Sequence, residues 1–285
     1  MPRLLIVGRG HLGQHLMASS VAAEAMLWPG RMEELTVEAV RETGARVVLC
    51  VAGKTDLPWC EANREATWQA NVDAPIALAR RLWKAGIRYI HASSGCVFNG
   101  PYTASGRAFG PDDPVTPACW YAWTKAACDA LLLQDAANLN GSLAILRPRQ
   151  VYSPAASERN TLDKLRRYDA LLETPNSMTS ADTIAKTARA LVADAHHPLW
   201  GRIVNVYDSG IASPFMVGSI LAALGLRDKP KPLAKADLDA WHKPRRVDTV
   251  LLDAEFEAMI KPPTVGEELR RVAVLYKATL GRAQA

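Results

Sequence analysis

Short apolar runs alternate with longer amphipathic stretches through the first half of the chain. A short run bounded by glycine or proline is typical of a buried strand, whereas apolar positions at helical spacing predict a helix. The predicted strands cover residues 4–7, 25–28, 46–51, 87–92 and 142–146. The predicted helices cover residues 13–25, 35–44, 63–85 and 121–136. This alternation predicts a parallel sheet with helices on both faces.

The regular alternation weakens beyond Arg147. Here the pattern predicts helices near 161–173 and 181–195 and a strand at 203–207. We therefore expect an α/β fold with a Rossmann doubly wound parallel sheet over residues 1–150, which some later segments rejoin. A smaller α/β lobe over residues 151–285 is expected to bind substrate. The stretch between the second strand and Arg46 is short, so a third strand is expected to be reduced or absent there.

The basic residues are scattered and mostly stand beside acidic ones. The formal net charge is +5, and the tight basic cluster is Lys243-Pro244-Arg245-Arg246. Nucleic-acid binding needs an extended basic face, whereas a few cations suffice for the phosphates of a small ligand. We expect a phosphorylated small molecule as partner, and neither nucleic acid nor a membrane.

The five cysteines lack the paired spacing of a structural metal site and fall in apolar or helical stretches. Such usage is typical of a reducing compartment. The first residues lead directly into an apolar strand without a signal-peptide pattern, and no apolar run reaches membrane-spanning length. We expect a cytoplasmic protein without a metal site.

A motif of the form G-x-G-x-x-G lies between the first predicted strand and the first predicted helix. Its residues are Gly8, Arg9, Gly10, His11, Leu12 and Gly13. Glycines allow a tight turn and a close approach of a pyrophosphate to the backbone, and the following helix presents free N–H groups. A glycine-rich turn that binds nothing is the alternative, but the position in the chain favours a dinucleotide site.

The end of the second predicted strand bears on which dinucleotide is bound. An NAD-preferring site usually has an acidic residue there, about 20 residues after the glycine motif. Here the sequence reads Trp28-Pro29-Gly30-Arg31. The missing acid, together with Arg9 and Arg31, favours a 2′-phosphate, because a guanidinium binds it through charge-assisted hydrogen bonds. We expect NADP(H) as the preferred cofactor and NAD(H) as the second choice; solvated surface arginines are the alternative interpretation.

Tyr121 and Lys125 form a Y-x-x-x-K motif, which places a phenol and an ammonium one helical turn apart. A lysine cation beside a tyrosine is expected to stabilise the phenolate and lower the pKa of the phenol. Ser94 follows the predicted strand 87–92, at the carboxyl end where open α/β sheets build their sites. Ser94 is therefore a candidate for hydrogen-bonding a substrate carbonyl.

These motifs in this order, with S-S-x-x-V-F-x-G over residues 93–100, resemble the extended short-chain dehydrogenases/reductases. Within that family, the chain is most similar to the dTDP-4-dehydrorhamnose reductase-like proteins, over nearly its whole length. The resemblance implies that Ser94 and Tyr121 polarise and protonate a carbonyl, and that Lys125 also holds the nicotinamide ribose. It further implies cofactor contacts by Val51, Ala52, Gly53 and Asn71.

The chain departs from the family pattern at two places. Val7 stands where the family motif G-x-x-G-x-x-G has its first glycine. Where rhamnose-reductase relatives show S-T-D-Y-V-F-D-G, this chain has Gly95, Cys96 and Asn99. The second departure removes an acid and an aromatic residue near the substrate, so a different sugar is an open alternative.

The resemblance predicts an NADPH-dependent reductase that acts on the 4-keto carbon of a nucleotide-linked deoxysugar. The alternatives are an NAD(P)-dependent sugar-nucleotide epimerase or dehydratase and a non-catalytic NADP-binding regulatory subunit. A homodimer is a possible assembly. The candidate substrate-binding residues are Ser94, Gly95, Cys96, Trp123, Arg147, Arg149 and Arg245.

Overall fold

Ten strands lie in the part of the chain that the computed structural model describes, residues 4–19, 22–137, 141–241 and 246–284. They are β1 (Leu4–Val7), β2 (Ala25–Leu27), β3 (Val47–Cys50), β4 (Arg88–Ala92), β5 (Leu143–Pro148), β6 (Val151–Tyr152), β7 (Ala170–Leu172), β8 (Thr179–Ser180), β9 (Arg202–Val206) and β10 (Lys231–Leu233). Six of these described strands form one sheet in the order β2-β1-β3-β4-β5-β9, and all its pairings are parallel. The predicted parallel sheet is confirmed.

Twelve α-helices are assigned within the same described ranges. They are α1 (His11–Ala18), α2 (Val37–Thr43), α3 (Leu57–Ala62), α4 (Arg64–Trp68), α5 (Ala74–Lys84), α6 (Trp120–Ala136), α7 (Thr161–Arg167), α8 (Ala181–Ala193), α9 (Pro214–Ala223), α10 (Lys235–Trp241), α11 (Ala254–Ile260) and α12 (Val265–Gln284). A π-helical turn at Gln69–Asp73 joins α4 to α5 without a break. Helix and strand alternate from β1 to β5, as the sequence predicts.

The chain winds outward from β1 in both directions. Leu5 of β1 pairs with Met26 of β2 on one side and with Val48 of β3 on the other. In open α/β sheets a ligand crevice forms at such a switch point, outside the carboxyl ends of the strands. Residues 28–46 are all described and contain no strand, so β2 is the edge of the sheet and the expected loss of a third strand is confirmed.

Both faces of the sheet are buried. In β1, Leu4 and Ile6 belong to one core cluster, and Leu5 and Val7 belong to the other. The first core is covered by α8 and α11, which come from the second half of the chain, and the second core by α5 and α6. Full burial of an apolar side chain contributes about 1.5–3 kcal/mol. The later segments are therefore needed to complete the core of the sheet.

A third apolar core draws its buried side chains only from later residues, between Tyr152 and Tyr276. These side chains come largely from α7, α9 and α12. Two small parallel pairs, β7 with β10 and β6 with β8, accompany this core. The proposed division of the chain at residue 150 stays a prediction.

Three predicted helices have wrong bounds. The helix expected over 13–25 begins at His11 and ends at Ala18, before β2. The helix expected over 63–85 contains the π turn, and the helix expected over 161–173 ends at Arg167. Residues 170–172 are a strand because they pair with β10, far later in the chain. Such a distant pairing leaves no local periodicity in the sequence.

A network of ionic contacts joins α1, α8 and α12. His15 Nε2 lies 2.9 Å from Asp182 Oδ1, and Arg271 contacts both Asp182 and Glu268. The hydrogen bond from His15, reinforced by Arg271, lowers the pKa of Asp182 to about 2. The network therefore holds the helix of the glycine motif to the C-terminal helix.

We expect Asp182→Asn to lower the free energy of unfolding at pH 7 by about 1 kcal/mol, because the partly exposed carboxylate is screened by solvent. A depressed carboxyl pKa stabilises the fold above the unfolded-state value and loses this effect as pH falls through the folded-state value. The difference between wild type and variant should therefore shrink between about pH 4 and pH 2. Urea unfolding over this range tests the prediction, with the exposed Asp237→Asn as control. An unchanged difference at low pH would contradict it.

Candidate active site

The glycine motif packs backbone against backbone with the segment that follows β3. Gly8 has a φ of +121°, and a Cβ atom there would lie 2.7 Å from the backbone nitrogen of Ala52. A Cβ atom on Gly13 would lie 1.8 Å from the carbonyl oxygen of Gly8. Gly10 is the N-cap of α1, so His11, Leu12 and Gly13 form its first turn. Only glycine at both packed positions allows this turn, which is the cradle expected for a pyrophosphate.

The loop after β3 connects this glycine turn to α6. Val51 N donates to Val7 O over 2.8 Å, which extends the pairing of β1 with β3 to the start of the loop. Gly53 has a φ of +157°, and a Cβ atom there would lie 3.0 Å from Asn71 Oδ1 and 3.8 Å from Lys125 Nζ. The predicted cofactor residues Val51, Ala52 and Gly53 thus form a continuous backbone path between the glycine turn and Lys125.

Asn71 is fully buried in the π turn and fixes this loop to α6. Its Oδ1 accepts from Lys54 N over 2.8 Å, and its Nδ2 donates to Lys54 O and to Thr124 Oγ1. Thr124 Oγ1 in turn donates to Tyr121 O over 2.8 Å. A π turn is often found at functional sites, where it redirects a side chain. Asn71 therefore positions the loop, and the direct cofactor contact expected for it stays a prediction.

The three predicted catalytic side chains meet where β4 ends against α6. The Ser94 hydroxyl is close enough to the Tyr121 phenol to act on its pKa, and Ser94 Oγ accepts from Cys96 N over 3.1 Å. Lys125 Nζ donates to Ala92 O over 2.8 Å. All three side chains are buried, with exposed fractions of 8% or less. The geometry therefore offers a phenol, a hydroxyl and an ammonium at one end of the backbone path.

The pKa of the Tyr121 phenol is raised in this structure, not lowered as expected from the neighbouring Lys125. Burial raises the pKa of the Tyr121 phenol, the neighbouring Cys96 raises it further, and the hydrogen bond with Ser94 opposes the rise. The Lys125 ammonium is engaged by the carbonyl of Ala92. Desolvation of the phenolate outweighs the cation one turn away. Tyr121 is therefore protonated at neutral pH and is suited to donate a proton.

A buried polar group that the sequence analysis missed lies behind Lys125. His91 Nδ1 lies 3.4 Å from Tyr89 Oη, and His91 Nε2 lies 3.7 Å from Cys128 Sγ. Burial, together with the charge of Lys125, lowers the pKa of His91 well below its usual value. His91 is thus neutral. The apolar strand pattern around it gave no sign that a buried histidine would contact Tyr89 and Cys128.

Comparison with known proteins places the chain in a family. A model described as the RmlD substrate binding domain matches residues 2–201. The chain belongs to this family. A relative from Mycobacterium tuberculosis, named dTDP-4-dehydrorhamnose reductase, is 29% identical over 224 residues, which cover 75% of this chain and 72% of the relative.

Solved structures share the fold of this RmlD-family chain. The UDP-rhamnose synthase of Acanthamoeba polyphaga mimivirus superposes with a TM-score of 0.81 at 17% identity, covering 96% of this chain and all of that one. The dTDP-4-dehydrorhamnose reductase of Bacillus anthracis, in complex with NADP, gives 0.76 at 16% identity over 96% of this chain and 98% of that one. At these identities the likeness shows a common Rossmann-type fold.

Two arginines predicted to bind substrate lie in different surroundings in this RmlD-family chain. Arg147 is 3% exposed and donates to Asp129 and to the carbonyl of Pro111, so its contacts give it a structural role. Arg149 donates from Nη1 to Cys96 Sγ over 3.1 Å, and its Nε is buried without a partner. Arg149 borders Gly95 and the catalytic end of the cleft. Substrate binding by either arginine stays a prediction.

Other predicted site residues lie on the surface or outside the described residues. Trp123 is 55% exposed on the outer face of α6. Arg9 is exposed, and Arg31 forms a loose, exposed ion pair with Glu33 at 3.8 Å that contributes little to stability. Both guanidinium groups are therefore available to a ligand. Arg245 lies outside the described residues.

Among the described residues, no group of three or more His, Cys, Asp or Glu side chains is arranged to hold a metal ion. Within the same ranges, no helix has the length and apolar content that a membrane span requires.

We expect Gly13→Ala to lower the free energy of unfolding by at least about 2 kcal/mol, because the added Cβ overlaps a backbone oxygen that cannot move without opening the turn. Gly281→Ala is the matched control. It also lies in a helix, its Cβ would meet no atom within 4 Å, and alanine there should be neutral or stabilising by up to about 1 kcal/mol. Urea unfolding of both variants measures the contrast, and equal effects would refute the tight packing of the turn.

Proposed function

We propose that this RmlD-family protein reduces a keto group on a nucleotide-linked sugar, with NADPH as the hydride donor. The observation that carries the proposal is the placement of Ser94, Tyr121 and Lys125 at one end of a backbone path that begins at the glycine cradle. The relative from Mycobacterium tuberculosis and the Bacillus anthracis structure both carry the name of such a reductase, and the latter is in complex with NADP. Family and site therefore support the same reaction.

The site residues divide the reaction between them. The glycine turn and the loop after β3 would hold the dinucleotide, whose nicotinamide would supply the hydride to the carbonyl carbon. Tyr121, kept protonated by burial, donates its proton to the carbonyl oxygen as that oxygen gains negative charge. Ser94 orients the same oxygen through its hydroxyl, and Lys125 stabilises the phenolate that remains. The phenolate regains its proton from solvent, so the carbonyl gains one hydride and one proton in total.

The surroundings of Tyr121 favour simple reduction over epimerisation or dehydration. Those reactions need a further acid/base residue at the reacting carbon. The titratable groups that raise the pKa of Tyr121 include the thiols of Cys60, Cys96 and Cys119. Burial raises the pKa of Cys60, and it raises that of Cys119 to about 11. Cys60 and Cys119 are therefore protonated at neutral pH and do not serve as a general base.

The residues expected to bind the sugar lie next to the catalytic side chains. Gly95 and half-buried Cys96 lie next to Ser94, and Arg149 lies over Gly95. Gly95 is buried, and a Cβ atom there would lie 3.1 Å from Leu251 and 3.4 Å from the side chain of Arg149, so only glycine fits under this arginine. We expect these residues to form one wall of the pocket for the sugar ring.

Tyr121→Phe should lower kcat by roughly 10²- to 10⁴-fold while leaving NADPH affinity unchanged, because the variant loses only the proton donor. Steady-state oxidation of NADPH with nucleotide-linked 4-ketosugars measures kcat, and fluorescence titration measures binding. The exposed Tyr168→Phe is the control and should retain full activity. A wild-type protein that binds NADPH but turns over none of these ketones would instead support the non-catalytic subunit.

Arg31→Ala should reduce the preference for NADPH over NADH by about tenfold, because a charge-assisted contact with the 2′-phosphate is lost. Arg9→Ala should act in the same direction. The ratio of the two dissociation constants is the measured quantity. Arg46→Ala is the matched control, since this exposed arginine precedes the amino end of β3, whereas the site lies at the carboxyl ends of the strands. An unchanged ratio in both test variants would leave the two arginines as surface residues.

A further inference from the structure

A loop from the second half of the chain, residues 153–160, lies directly over the glycine turn. A Cβ atom on Gly10 would lie 3.6 Å from Nη1 of Arg159. The two loops face each other across an open cleft of about 690 Å³, which both of them line. Arg159 therefore presents its guanidinium to the side of the glycine turn that faces away from the sheet.

The position of this loop is fixed by hydrogen bonds. Asn160 is fully buried, and its Nδ2 donates to the carbonyl oxygens of Ser153 and Ala155, each over 2.8 Å. Asn160 Oδ1 accepts from Leu162 N at the start of α7. Ser153 Oγ lies 3.0 Å from His11 Nε2 in the glycine motif. The backbone around Arg159 is thus held against α1 before any ligand arrives.

Arg159 lines this cleft without a bonded counter-charge. Within the described residues, its side chain has no ion pair and no hydrogen bond. One carboxylate, that of Glu158, also lines the cleft. Lys164 lies outside the lining, on α7 directly after the loop, and its charge acts on His11 in the glycine motif. A guanidinium without a bonded partner at the face of the glycine turn is available to an anion.

We propose that Arg159 clamps the diphosphate of the dinucleotide cofactor from the side opposite the glycine turn, and that Lys164 adds only a weaker attraction at longer range. The inference rests on the proposed function, because it takes the glycine turn as the diphosphate site. A planar guanidinium can hold two phosphate oxygens at once, and an ammonium acts as a point charge. The cofactor diphosphate would then lie between the glycine turn of the first half and the loop 153–160 of the second half.

The test compares Arg159→Ala and Lys164→Ala with wild type in titrations with NADPH, NADH and dTDP. We expect Arg159→Ala to raise the dissociation constants of NADPH and NADH by the same factor, about tenfold, because both carry the diphosphate. Lys164→Ala should raise both by a smaller common factor. Arg159→Lys should restore part of the affinity, and the loss should diminish as salt concentration rises.

A matched control lies on the same helix. Arg167 is exposed, and its charge acts on Tyr276 in the core of the second half. Arg167→Ala should leave both cofactor constants unchanged. In steady state, Arg159→Ala should raise the KM for NADPH while kcat at saturating cofactor is retained, which a merely structural role would not produce. Thermal unfolding midpoints show whether each variant is folded.

Three results would overturn the clamp. A loss confined to NADPH would assign Arg159 to the 2′-phosphate, and a loss confined to dTDP would assign it to the substrate. Unchanged constants for all three probes would leave Arg159 and Lys164 as solvated cations. Failure of the wild-type protein to bind either dinucleotide would instead refute the proposed function itself.

Discussion

The contact between the glycine turn and the segment after β3 is the constraint on which the rest of the site depends. Gly8 and Gly13 bring the backbone of the turn against itself and against Ala52, at distances that no side chain permits. This contact closes the switch point between β1 and β3 and directs the chain into α1. The crevice expected to hold a dinucleotide is therefore built from main chain. Most side-chain changes nearby should leave it intact, whereas a methyl group added at Gly8 or Gly13 would disrupt it.

Buried polar side chains join the loop after β3 to the segment that contains Tyr121. Asn71 ties the loop after Gly53 to Thr124, and Thr124 is bonded to the carbonyl of Tyr121, so cradle and phenol belong to one hydrogen-bonded unit. Leaving any of these groups unpaired in the interior would cost about 1–3 kcal/mol. The reaction geometry is consequently tied to the stability of the fold, and burial also sets the protonation state of Tyr121.

Much of the first half could be predicted from local pattern. Its strands are buried on both faces and read as uninterrupted apolar runs. Two of the three motifs follow strand ends, and the third lies in the first turns of α6, where the topology brings it to the end of β4. The second half was harder to predict. β7 forms only by pairing with β10, and α8 and α11 cover the sheet although they follow the lobe's first helix. Arg159 belongs to no recognisable motif. It lies over Gly10 because the side chain of Asn160, the N-cap of α7, fixes the loop that contains it.

The sequence by itself determined the order of elements in the first half, the glycine turn and the Y-x-x-x-K motif that holds the proposed proton donor, because each depends on residues close together in the chain. Only the tertiary structure decided the electrostatics. It showed that burial raises the pKa of Tyr121 and that Arg147 is engaged by Asp129. It also placed Arg159, from the second half of the chain, at the cleft. Desolvation and charge pairing depend on which distant segments pack around a group, and no local pattern records that packing.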